Sequence, residues 1–451
     1  MSAYVSSVLE NLKSQNGSNS VFLQAATEIL LSLAPLLDRE SKYQKHRILE
    51  QIVVPERAYS FRVTYSNDKG EACVNNGYRI EFNSALGPYK GGLRLHPSVN
   101  QDILKFLGFE QIFKNSLTGL SMGGAKGGSD FDPKGKSDAE IMRFCQAFML
   151  ELHKFIGDVK DVPAGDIGTG GREIGYMFGA YKKLTQRFDG CLTGKGLNWG
   201  GSLARTEATG YGSVYFANEM IKKAGGSLEG KKAAVSGSGN VAIYTCEKLY
   251  AFGATPVTVS DSSGFIYDSE GIDVALLKEI KEVRRERLSA YAAQRKSAKF
   301  TPVSEYAAGT NGVWSVPVDL AFPSATQNEL SLADAQTLFK NGCKLVCEGA
   351  NMPSTLEAID FMLANGVLFG PAKAANAGGV ATSGLEMAQN AAMTAWSFEE
   401  VDSKLHSIMI NIFNNSYETS VEFGARGNLV LGANIAGFRK VADAMIDQGY
   451  I

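Results

Sequence analysis

The first forty residues have the spacing of an amphipathic helix, because apolar residues recur every three or four positions. These residues are Leu9, Leu12, Phe22, Ile29, Leu30 and Leu33. Helical spacing returns over 99–117, and Ser137 followed by Glu140 forms a capping box that predicts the start of another helix. A last helical register is marked by Ile435, Val441, Ala442 and Met445.

Two segments in the first half, 58–65 and 78–82, have the composition of strands. Between them lies Asn67-Asp-Lys-Gly70, whose Asn and Gly favour a turn. The segments are therefore predicted to be strands on either side of a turn. The chain has no internal repeat and no low-complexity tract.

The second half has the order of elements found in nucleotide-binding α/β domains. A short predicted strand, 231–236, is followed directly by Gly237-Ser-Gly-Asn-Val-Ala242. A helix through Phe252 and a second strand over 256–260 come next, and that strand ends at Asp261, 24 residues after Gly237. The glycines allow a tight turn and bring a pyrophosphate to the helix N-terminus, so this order favours dinucleotide binding over a structural turn.

Length and composition limit the class of protein. A chain of 451 residues is long enough for two or more domains. Its 45 Lys and Arg residues and 47 Asp and Glu residues give a formal net charge of −2, which excludes a general nucleic-acid binder that relies on broad positive charge. Hydrophobic residues make up 44 % and charged residues 20 %, so a full core can form.

No signal for export, membrane insertion or metal binding stands out in the sequence. No apolar run approaches the roughly 20 residues that span a bilayer, and the N-terminus lacks a basic region followed by a long apolar stretch. Of six scattered cysteines only Cys343 and Cys347 lie close together, and the four histidines are dispersed. We therefore expect a cytoplasmic protein with reduced thiols and no metal, membrane or nucleic-acid partner.

Glycine is over-used, at 49 of 451 residues, and it is clustered. The clusters lie at 87–92, 123–128, 165–171, 194–201, 237–239 and 378–379. Glycine lets backbone approach a ligand closely, so several clusters suggest one elaborate binding cleft, although a surface turn is the alternative for any single cluster.

Three lysines in the first half are candidates for chemistry. Glycines flank Lys90 and Lys126, so each can be held in a walled cleft where desolvation or a neighbouring cation lowers its pKa toward that of a useful base. Lys114 lies at the end of the predicted helix 99–117, with Gln111 one turn earlier on the same face. For each lysine, a solvated surface charge is the alternative.

Asp166 lies in an apolar, glycine-rich sequence, 162–168. A turn or helix cap is the alternative for this residue in isolation. Beside a catalytic lysine, an aspartate can shuttle protons while the lysine's charge keeps it ionised. Several cations near a nicotinamide site suggest a substrate with more than one carboxylate, because each desolvated carboxylate needs a compensating charge.

Long motifs lie along essentially the whole chain. They are PYKGGLR (88–94), FEQIFKNSL (109–117), MGGAKGG (122–128), VPAGDIG (162–168), EATGYG (207–212), SGSGNVA (236–242), ATQNEL (325–330), EGANMP (348–353) and AANAGGVATSGLEMAQN (374–390). Together they resemble the glutamate dehydrogenases, in particular the hexameric type of roughly 450 residues. The number of motifs and their order make a chance resemblance negligible.

The resemblance implies roles for the matching residues. Lys126 would be the catalytic lysine, polarising the substrate carbonyl and activating water, and Asp166 would exchange protons with the amino group. Lys114 and Gln111, with the backbone around Gly165, would hold the α-carboxylate end.

The other end of the substrate would meet a second lysine. Lys90 would bind the side-chain carboxylate of glutamate with the help of Ser383, and Ala164 and Val380 would shape that end of the pocket. The related enzymes that act on leucine, valine or phenylalanine are the nearest alternative. Lys90 argues against them, because an apolar side chain would leave a buried ammonium without a partner.

The same comparison, with the glycine motif, gives a set of residues expected around the cofactor. They are Arg205, Thr209, Gly237, Ser238, Gly239, Asn240, Val241, Asp261, Ser262, Lys281, Gln327, Asn351 and Asn376. By the general rule, Asp261 would accept the ribose 2′-hydroxyl and favour NAD. The sequence Ser260-Asp-Ser-Ser-Gly264, however, resembles the NADP-dependent branch, with Lys281 and Arg284 as candidate cations for the 2′-phosphate, so we expect NADP(H).

The predicted fold is α/β, with two domains around a cleft, the second a Rossmann-type dinucleotide-binding domain. Residues 1–200 would bind substrate and support oligomerisation, 201–424 would bind the cofactor, and 425–451 would pack back on the first domain. The resemblance implies an NADP-dependent glutamate dehydrogenase that forms hexamers and interconverts L-glutamate with 2-oxoglutarate and ammonia. An NAD-dependent glutamate dehydrogenase and a non-catalytic NADP-binding regulatory protein are the alternatives.

Overall fold

The computed structural model describes residues 3–16 and 20–449, and the chain divides into two compact units. The first unit is drawn from Met1–Arg205, Val380–Val401 and Asn434–Ile451, and the second from Thr206–Gly379 and Asp402–Ala433. The sequence placed one boundary near residue 200, and the first unit boundary falls close to it.

The first unit begins with short helices. They are α1 (Ala3–Asn16), α2 (Val21–Ser32), α3 (Ala34–Arg39), α4 (Lys42–Lys45) and α5 (Ile48–Ile52). The sequence analysis predicted one helix over the first forty residues. This prediction was wrong, because the described part of that segment forms separate helices. The Ser20 side chain accepts a hydrogen bond from the Leu23 backbone N–H and caps a new helix, and the prediction also covered residues 17–19, which lie outside the described residues.

A mixed sheet forms the centre of the first unit. Its strands are β1 (Arg57–Ser66), β2 (Ala72–Asn83), β3 (Tyr89–Leu95), β4 (Gly124–Ser129) and β5 (Asp161–Gly165), in the order β1-β2-β4-β3-β5. β1 and β2 pair antiparallel around the predicted turn, whereas β3 runs parallel to both β4 and β5. The predicted hairpin strands are confirmed, although β2 begins earlier than residue 78.

Three long helices flank this sheet: α6 (Gln101–Leu117), α7 (Asp138–Leu152) and α8 (Gly171–Thr185). Ser137 accepts the Glu140 backbone N–H and caps α7, as the sequence predicts. α7 and α8 pack with one face of the sheet, where Leu93, Val63 and Phe144 belong to one buried cluster. Side chains alternate along a strand, so the neighbours of Leu93 on β3 project from the opposite face.

The second unit contains a parallel sheet in the order β13-β12-β11-β6-β7, with helices between its strands. These strands are β6 (Lys232–Val235), β7 (Thr255–Pro256), β11 (Leu320–Phe322), β12 (Leu345–Cys347) and β13 (Leu368–Gly370). A separate antiparallel sheet contains β8 (Thr258–Asp261), β9 (Gly264–Asp268) and β10 (Ala298–Pro302). The α/β class and the Rossmann-type character of this unit are confirmed.

Helices and single turns connect these strands. They are α9 (Ala208–Lys223), α10 (Asn240–Ala251), α11 (Val274–Lys278), α12 (Ser289–Ala292), α13 (Leu332–Lys340), α14 (Leu356–Ala364) and α15 (Ala372–Ala375), with a π-turn at Glu279–Val283 and 3₁₀ turns at Leu197–Trp199, Val303–Glu305 and Gly312–Ser315. The predicted strand over 256–260 is in fact divided between two sheets, since β7 pairs with β6 whereas β8 pairs with β9.

The last three helices correct the predicted domain limits. α16 (Gly378–Ala391), α17 (Phe398–Glu422) and α18 (Leu429–Gln448) each contain a boundary between the units. Residues 380–401, predicted to lie in the cofactor domain, belong to the first unit, and residues 425–433 belong to the second. Amphipathic spacing shows that a helix buries one face, but it does not show which unit supplies the contact.

Within the described ranges, no helix combines the length and apolar character needed to cross a membrane. The same residues contain no cluster of three or more His, Cys, Asp or Glu side chains arranged to hold a metal ion. All six cysteines are free thiols, and five of them are buried.

Candidate active site

Lys90 is buried in the first unit on strand β3, where its side chain is 1 % exposed. Its Nζ donates a hydrogen bond to the Thr193 Oγ1, 2.8 Å away. Burial, and then the nearby charge of Arg205, lower the pKa of Lys90 well below its usual value. Such an ammonium gains when an anion arrives, because a carboxylate would replace the solvation that the site removes.

The following glycine explains how Lys90 fits between two strands. A Cβ atom at Gly91 would lie 1.6 Å from the carbonyl oxygen of Ala125 on β4, so only glycine permits this approach of the backbones. The sequence analysis predicted that the glycines beside Lys90 line a narrow cleft. In the structure, Gly91 instead allows β3 and β4 to pack closely against each other.

Lys126, on β4, forms an ion pair with Asp166 just after β5. The distance from Lys126 Nζ to Asp166 Oδ1 is 3.1 Å, and Arg94 Nε donates to the other carboxylate oxygen at 2.7 Å. Burial lowers the pKa of Lys126, although the charge of Asp166 opposes this shift. Burial alone would raise the pKa of Asp166, but Lys126 and Arg94 outweigh it and lower the pKa to about 2. The aspartate is therefore ionised beside a lysine whose proton is loosened.

Lys114 and Gln111 lie one turn apart on α6, as the sequence predicts. Burial, and then the charge of Lys126, lower the pKa of Lys114 to about 8. Gln111 Nε2 donates to Asn115 Oδ1 at 2.6 Å, and Asn115 Nδ2 donates to the backbone carbonyl of Lys90 at 3.0 Å. Asn115 thus ties the helix that bears Lys114 to the strand that bears Lys90.

Ser383 lies on the part of α16 that belongs to the first unit, and its Oγ accepts a hydrogen bond from Arg205 Nε at 3.1 Å. Arg205 was predicted to contact the cofactor, but the structure places it with the residues predicted to bind substrate. Val380 lies one turn before Ser383 on the same helix. Ala164 and Gly165 are on β5, where Ala164 pairs with Gly92 of β3.

The sequence analysis missed several members of this group. Arg94 lay within a quoted motif but received no role, and Thr193, Lys195 and Glu386 were not selected. No local pattern distinguishes Thr193, because its partner Lys90 is 103 residues away in sequence. The glycines at 194–201 were the available signal, since they showed a constrained segment there.

The glycine motif of the second unit has the geometry of a phosphate-binding loop. Gly237 has φ +83°, and a Cβ there would lie 2.9 Å from the backbone oxygen of Ser324. Gly237 N–H donates to Ser260 Oγ at 2.8 Å, which joins the loop to the end of β8. Ser238 and Gly239 lead into α10, whose first residues are Asn240 and Val241. The free N–H groups of this first turn can bind an anion.

Asp261 is engaged by the protein rather than open to a ribose. One carboxylate oxygen accepts hydrogen bonds from the Ser263 N–H and hydroxyl, and the other accepts the Leu288 N–H at 3.0 Å and Lys281 Nζ at 3.4 Å. Burial would raise the pKa of Asp261, but hydrogen bonds from Ser263 outweigh it and lower the pKa. Lys281 is therefore the partner of Asp261.

Arg284 was expected to receive the 2′-phosphate, but the structure favours another arginine for this role. Arg284 Nε lies 3.3 Å from Glu279 Oε1, so its charge is already paired. Arg287, which the sequence analysis did not select, donates from Nη1 to the hydroxyl of Ser262 at 2.7 Å. Arg287 and Ser262 together can receive a phosphate next to the predicted ribose position.

The remaining predicted cofactor residues also lie in the second unit. Asn376 Nδ2 donates to Asn351 Oδ1 at 2.9 Å, and the segment after Gln327 is joined to the same region by a hydrogen bond from the Asn328 N–H to the Met352 carbonyl. Thr209 lies in the first turn of α9, a helix that packs closely against α10. A group of polar side chains thus accompanies the glycine loop.

Comparisons with known proteins identify the family of the chain. The model of the Glutamate/Leucine/Phenylalanine/Valine dehydrogenase family matches residues 200–449, and the model of the Glu/Leu/Phe/Val dehydrogenase dimerisation domain matches residues 55–183. The NADP-specific glutamate dehydrogenase of Helicobacter pylori (strain ATCC 700392 / 26695) is 63 % identical over 446 residues, which are 99 % of this chain and 100 % of the relative.

Two further likenesses are informative. The NAD(P)-specific glutamate dehydrogenase of Xylanibacter ruminicola is 53 % identical over 445 residues, 98 % of either chain. A crystal structure of Plasmodium falciparum glutamate dehydrogenase superposes with a TM-score of 0.96 at 52 % identity, covering 99 % of this chain and 95 % of that one. The resemblance inferred from the motifs is confirmed over the full length.

Proposed function

Because the chain belongs to the Glutamate/Leucine/Phenylalanine/Valine dehydrogenase family, we propose that it is an NADP-dependent glutamate dehydrogenase. It interconverts L-glutamate with 2-oxoglutarate and ammonia. The observation that carries this proposal is a group of three lysines in the first unit, the buried Lys90 and Lys126 and the half-buried Lys114, beside one ionised aspartate, Asp166. A dicarboxylate provides an anion for each of two lysines and leaves the third for chemistry.

Lys126 acts on the reacting carbon. In the amination direction its ammonium polarises the carbonyl of 2-oxoglutarate, and ammonia adds to C2. The carbonyl oxygen takes one proton from Lys126 and a second from the nitrogen by way of Asp166, and it then leaves as water, so that an iminium remains. Asp166, ionised between Lys126 and Arg94, accepts a proton from the incoming nitrogen. When bound at the glycine loop from Gly237 to Val241, NADPH would supply the hydride that reduces the iminium to L-glutamate.

Each of the two substrate carboxylates is bound by its own set of residues. Lys114 and Gln111, with the backbone at Gly165, hold the α-carboxylate. Lys90 and Ser383 hold the side-chain carboxylate. The Lys90–Thr193 and Arg205–Ser383 hydrogen bonds support this assignment, because they surround the side-chain end with donors. A leucine or valine side chain offers these donors no acceptor, which accounts for the choice of glutamate.

Arg205 contributes to the same part of the proposed site, next to the side-chain carboxylate. Its hydrogen bond to Ser383 and its charge near Lys90 support this role in place of the predicted cofactor contact. Ala164 and Val380 shape the apolar wall beside it.

The cofactor is NADP(H), held by the glycine loop from Gly237 to Val241. Ser262 and Arg287 would hold the 2′-phosphate. Both carboxylate oxygens of Asp261 already accept hydrogen bonds within the protein, so Asp261 would not accept one from the ribose. Thr209, Gln327, Asn351 and Asn376 line the remainder of this site.

The proposed assembly follows from the family alone, and the proposed location from the lack of export and membrane signals in the sequence. We propose a homo-hexamer that works in the cytoplasm. The match of residues 55–183 to a dimerisation domain supports self-association through the first unit.

The test is the oxidation of NADPH and NADH with ammonia and either 2-oxoglutarate or 4-methyl-2-oxopentanoate. We expect rapid oxidation of NADPH with 2-oxoglutarate only. Preference for NADH would overturn the cofactor assignment and leave the reaction intact. Turnover of the branched oxo acid would instead contradict the role given to Lys90.

A further inference from the structure

A second ion pair lies buried in the first unit, and the mechanism above does not use it. Lys195 Nζ lies 2.9 Å from Glu386 Oε1, and the two side chains are 1 % and 0 % exposed. Burying two charges costs desolvation that the pair only partly returns, so such a pair is poor evidence of added stability. Its contacts show what else it does.

The carboxylate of Glu386 organises the segment around Thr193. It accepts the Gly194 N–H at 2.9 Å and the Lys195 N–H at 3.3 Å, and Lys195 Nζ donates in addition to the Leu192 carbonyl. Leu192 has φ +66°, a conformation that non-glycine residues rarely adopt. The tertiary hydrogen bonds to Glu386 therefore hold a backbone shape that the local sequence disfavours.

That shape brings one hydroxyl to the substrate lysine. The Thr193 N–H donates to the Pro163 carbonyl at 2.9 Å, and its Oγ1 accepts from Lys90 Nζ at 2.8 Å. Thr193 thus lies between Glu386, which fixes its neighbours, and Lys90.

Glu386 also acts through its own helix. Ser383 lies three residues earlier on α16, so the two side chains lie on the same helix face. Ser383 accepts the hydrogen bond from Arg205, and Glu386 opposes the loss of charge that burial imposes on both Lys90 and Arg205. One carboxylate therefore connects the Thr193 segment, the Ser383 helix and two cations.

We propose that Glu386 and Lys195 are positioning residues that set the selectivity for a 2-oxo acid with a distal carboxylate. The inference rests on the proposed function, because it deepens the role given to Lys90. The pair fixes the Thr193 hydroxyl and the Ser383 face around Lys90, so that the distal carboxylate meets donors that are already in place.

The experiment compares 2-oxoglutarate with 2-oxopentanoate, which has the same carbon chain but no distal carboxylate, in the full-length enzyme. Glu386→Gln should raise the KM for 2-oxoglutarate roughly 10- to 100-fold, the scale on which misplaced binding groups act. The KM for ammonium, the KM for NADPH and the kcat/KM for 2-oxopentanoate should change by less than about threefold. The sites proposed for ammonium and NADPH do not include the Thr193 segment, and 2-oxopentanoate has no distal carboxylate for that segment to position. A uniform loss on both oxo acids would overturn the proposal and indicate a general structural role.

Glu386→Asp separates position from charge. It keeps the carboxylate but shortens its reach by one methylene, so it should lose selectivity as Glu386→Gln does. Wild-type selectivity in this variant would overturn the positioning role and leave only an effect of charge.

A second variant protects the test against misfolding. Lys195→Met combined with Glu386→Gln removes both charges, so no uncompensated ion stays buried. This enzyme should fold and still discriminate poorly between the two oxo acids. Wild-type discrimination in the folded double variant would refute the proposal.

Two controls complete the design. Glu151→Gln breaks an exposed ion pair with Lys154 and should leave every parameter unchanged. Lys90→Met tests the proposed function itself, since it should abolish the preference for 2-oxoglutarate. If Lys90→Met loses the preference and Glu386→Gln keeps it, only the positioning role fails. If Lys90→Met keeps the preference, the substrate assignment fails.

Discussion

At the scale of single residues, the proposed reaction depends on lysines whose charged form is destabilised by burial. Three lysines on β3, α6 and β4 all have a lowered pKa, and burial is the first cause in each case. The second cause differs between the three. The charge of Arg205 lowers the pKa of Lys90 further, and the charge of Lys126 does the same for Lys114, whereas the charge of Asp166 opposes the lowering at Lys126.

Lys126→Ala should lower kcat by roughly 100- to 10,000-fold, the usual contribution of a general acid–base group. Binding of NADPH should persist, because the glycine loop lies in the other unit. Steady-state assays and a fluorescence titration of NADPH measure the two effects. Lys69→Ala, an exposed lysine in the turn between β1 and β2, is the matched control. Normal turnover in Lys126→Ala would exclude this lysine from catalysis.

The kcat/KM for 2-oxoglutarate should fall as the pH rises through about 8. Burial and Lys126 lower the pKa of Lys114 to about 8, and a neutral lysine no longer attracts the α-carboxylate. Arginine stays charged across this range, so Lys114→Arg should move the alkaline limb upward. A profile of kcat/KM from pH 6 to 10 measures both enzymes, and a wild-type profile that stays flat to pH 9.5 would contradict the assignment.

At the scale of elements, strand β2 carries two charged side chains, Arg79 and Glu81, on the sheet face opposite Lys90 and Lys126. Arg79 and Asp161 form a fully buried ion pair there, with Arg79 Nε 2.7 Å from Asp161 Oδ2. Glu81 is also fully buried, and among the described residues its Oε1 has no hydrogen-bond partner. Burial, and then the charge of Asp161, raise the pKa of Glu81 from 4.5 to about 7.

Glu81→Gln should therefore stabilise the protein at pH 8 by about 1–3 kcal/mol, because the neutral amide removes a buried negative charge that desolvation and Asp161 destabilise. A raised carboxyl pKa means that the folded chain binds a proton more tightly than the unfolded chain. Wild-type stability is then full below pH 4.5 and falls as the pH rises toward 7. Thermal unfolding at pH 6 and 8 checks the sign, and the gain from the substitution should be larger at pH 8. A gain that is equal or larger at pH 6 would contradict it.

We expect the loop after β8 to determine the choice between NADPH and NADH. Arg287→Ala should raise the KM for NADPH roughly tenfold or more, since hydrogen bonds to charged groups contribute about 1.5–3 kcal/mol. The KM for NADH should change little, because NADH has no 2′-phosphate. Arg285→Ala, at an exposed position two residues earlier, is the control. Equal effects on both cofactors would mean that Arg287 supports the loop without reading the phosphate.

At the scale of the whole molecule, the proposed hexamer can be measured directly. Light scattering after size exclusion should give about six chain masses at micromolar concentration. The first unit exposes apolar side chains that an assembly could cover, among them Val74, Leu150 and Val159. A stable monomer with full activity would contradict the hexamer and leave the reaction assignment in place.

The sequence by itself determined the fold class, the glycine loop and the three lysines. These features depend on local rules: strand and helix periods, the geometry that glycine permits, and motif order along the chain. Lys90 and Lys126 were identifiable because their glycines are neighbours in sequence, and the acid at Asp261 because it ends a strand after the loop.

Only the tertiary structure decided which partners those residues have. Asp261 is turned toward Leu288, Arg205 toward Ser383, and Lys90 toward Thr193, each across a separation that no local period encodes. The same reason explains why the domain limit predicted at residues 380–401 was wrong. Sequence shows which face of a helix is apolar, but it does not show which surface that face packs against. Burial and the pKa shifts that follow from it depend on the assembled neighbours, and so they appear only once the chain has folded.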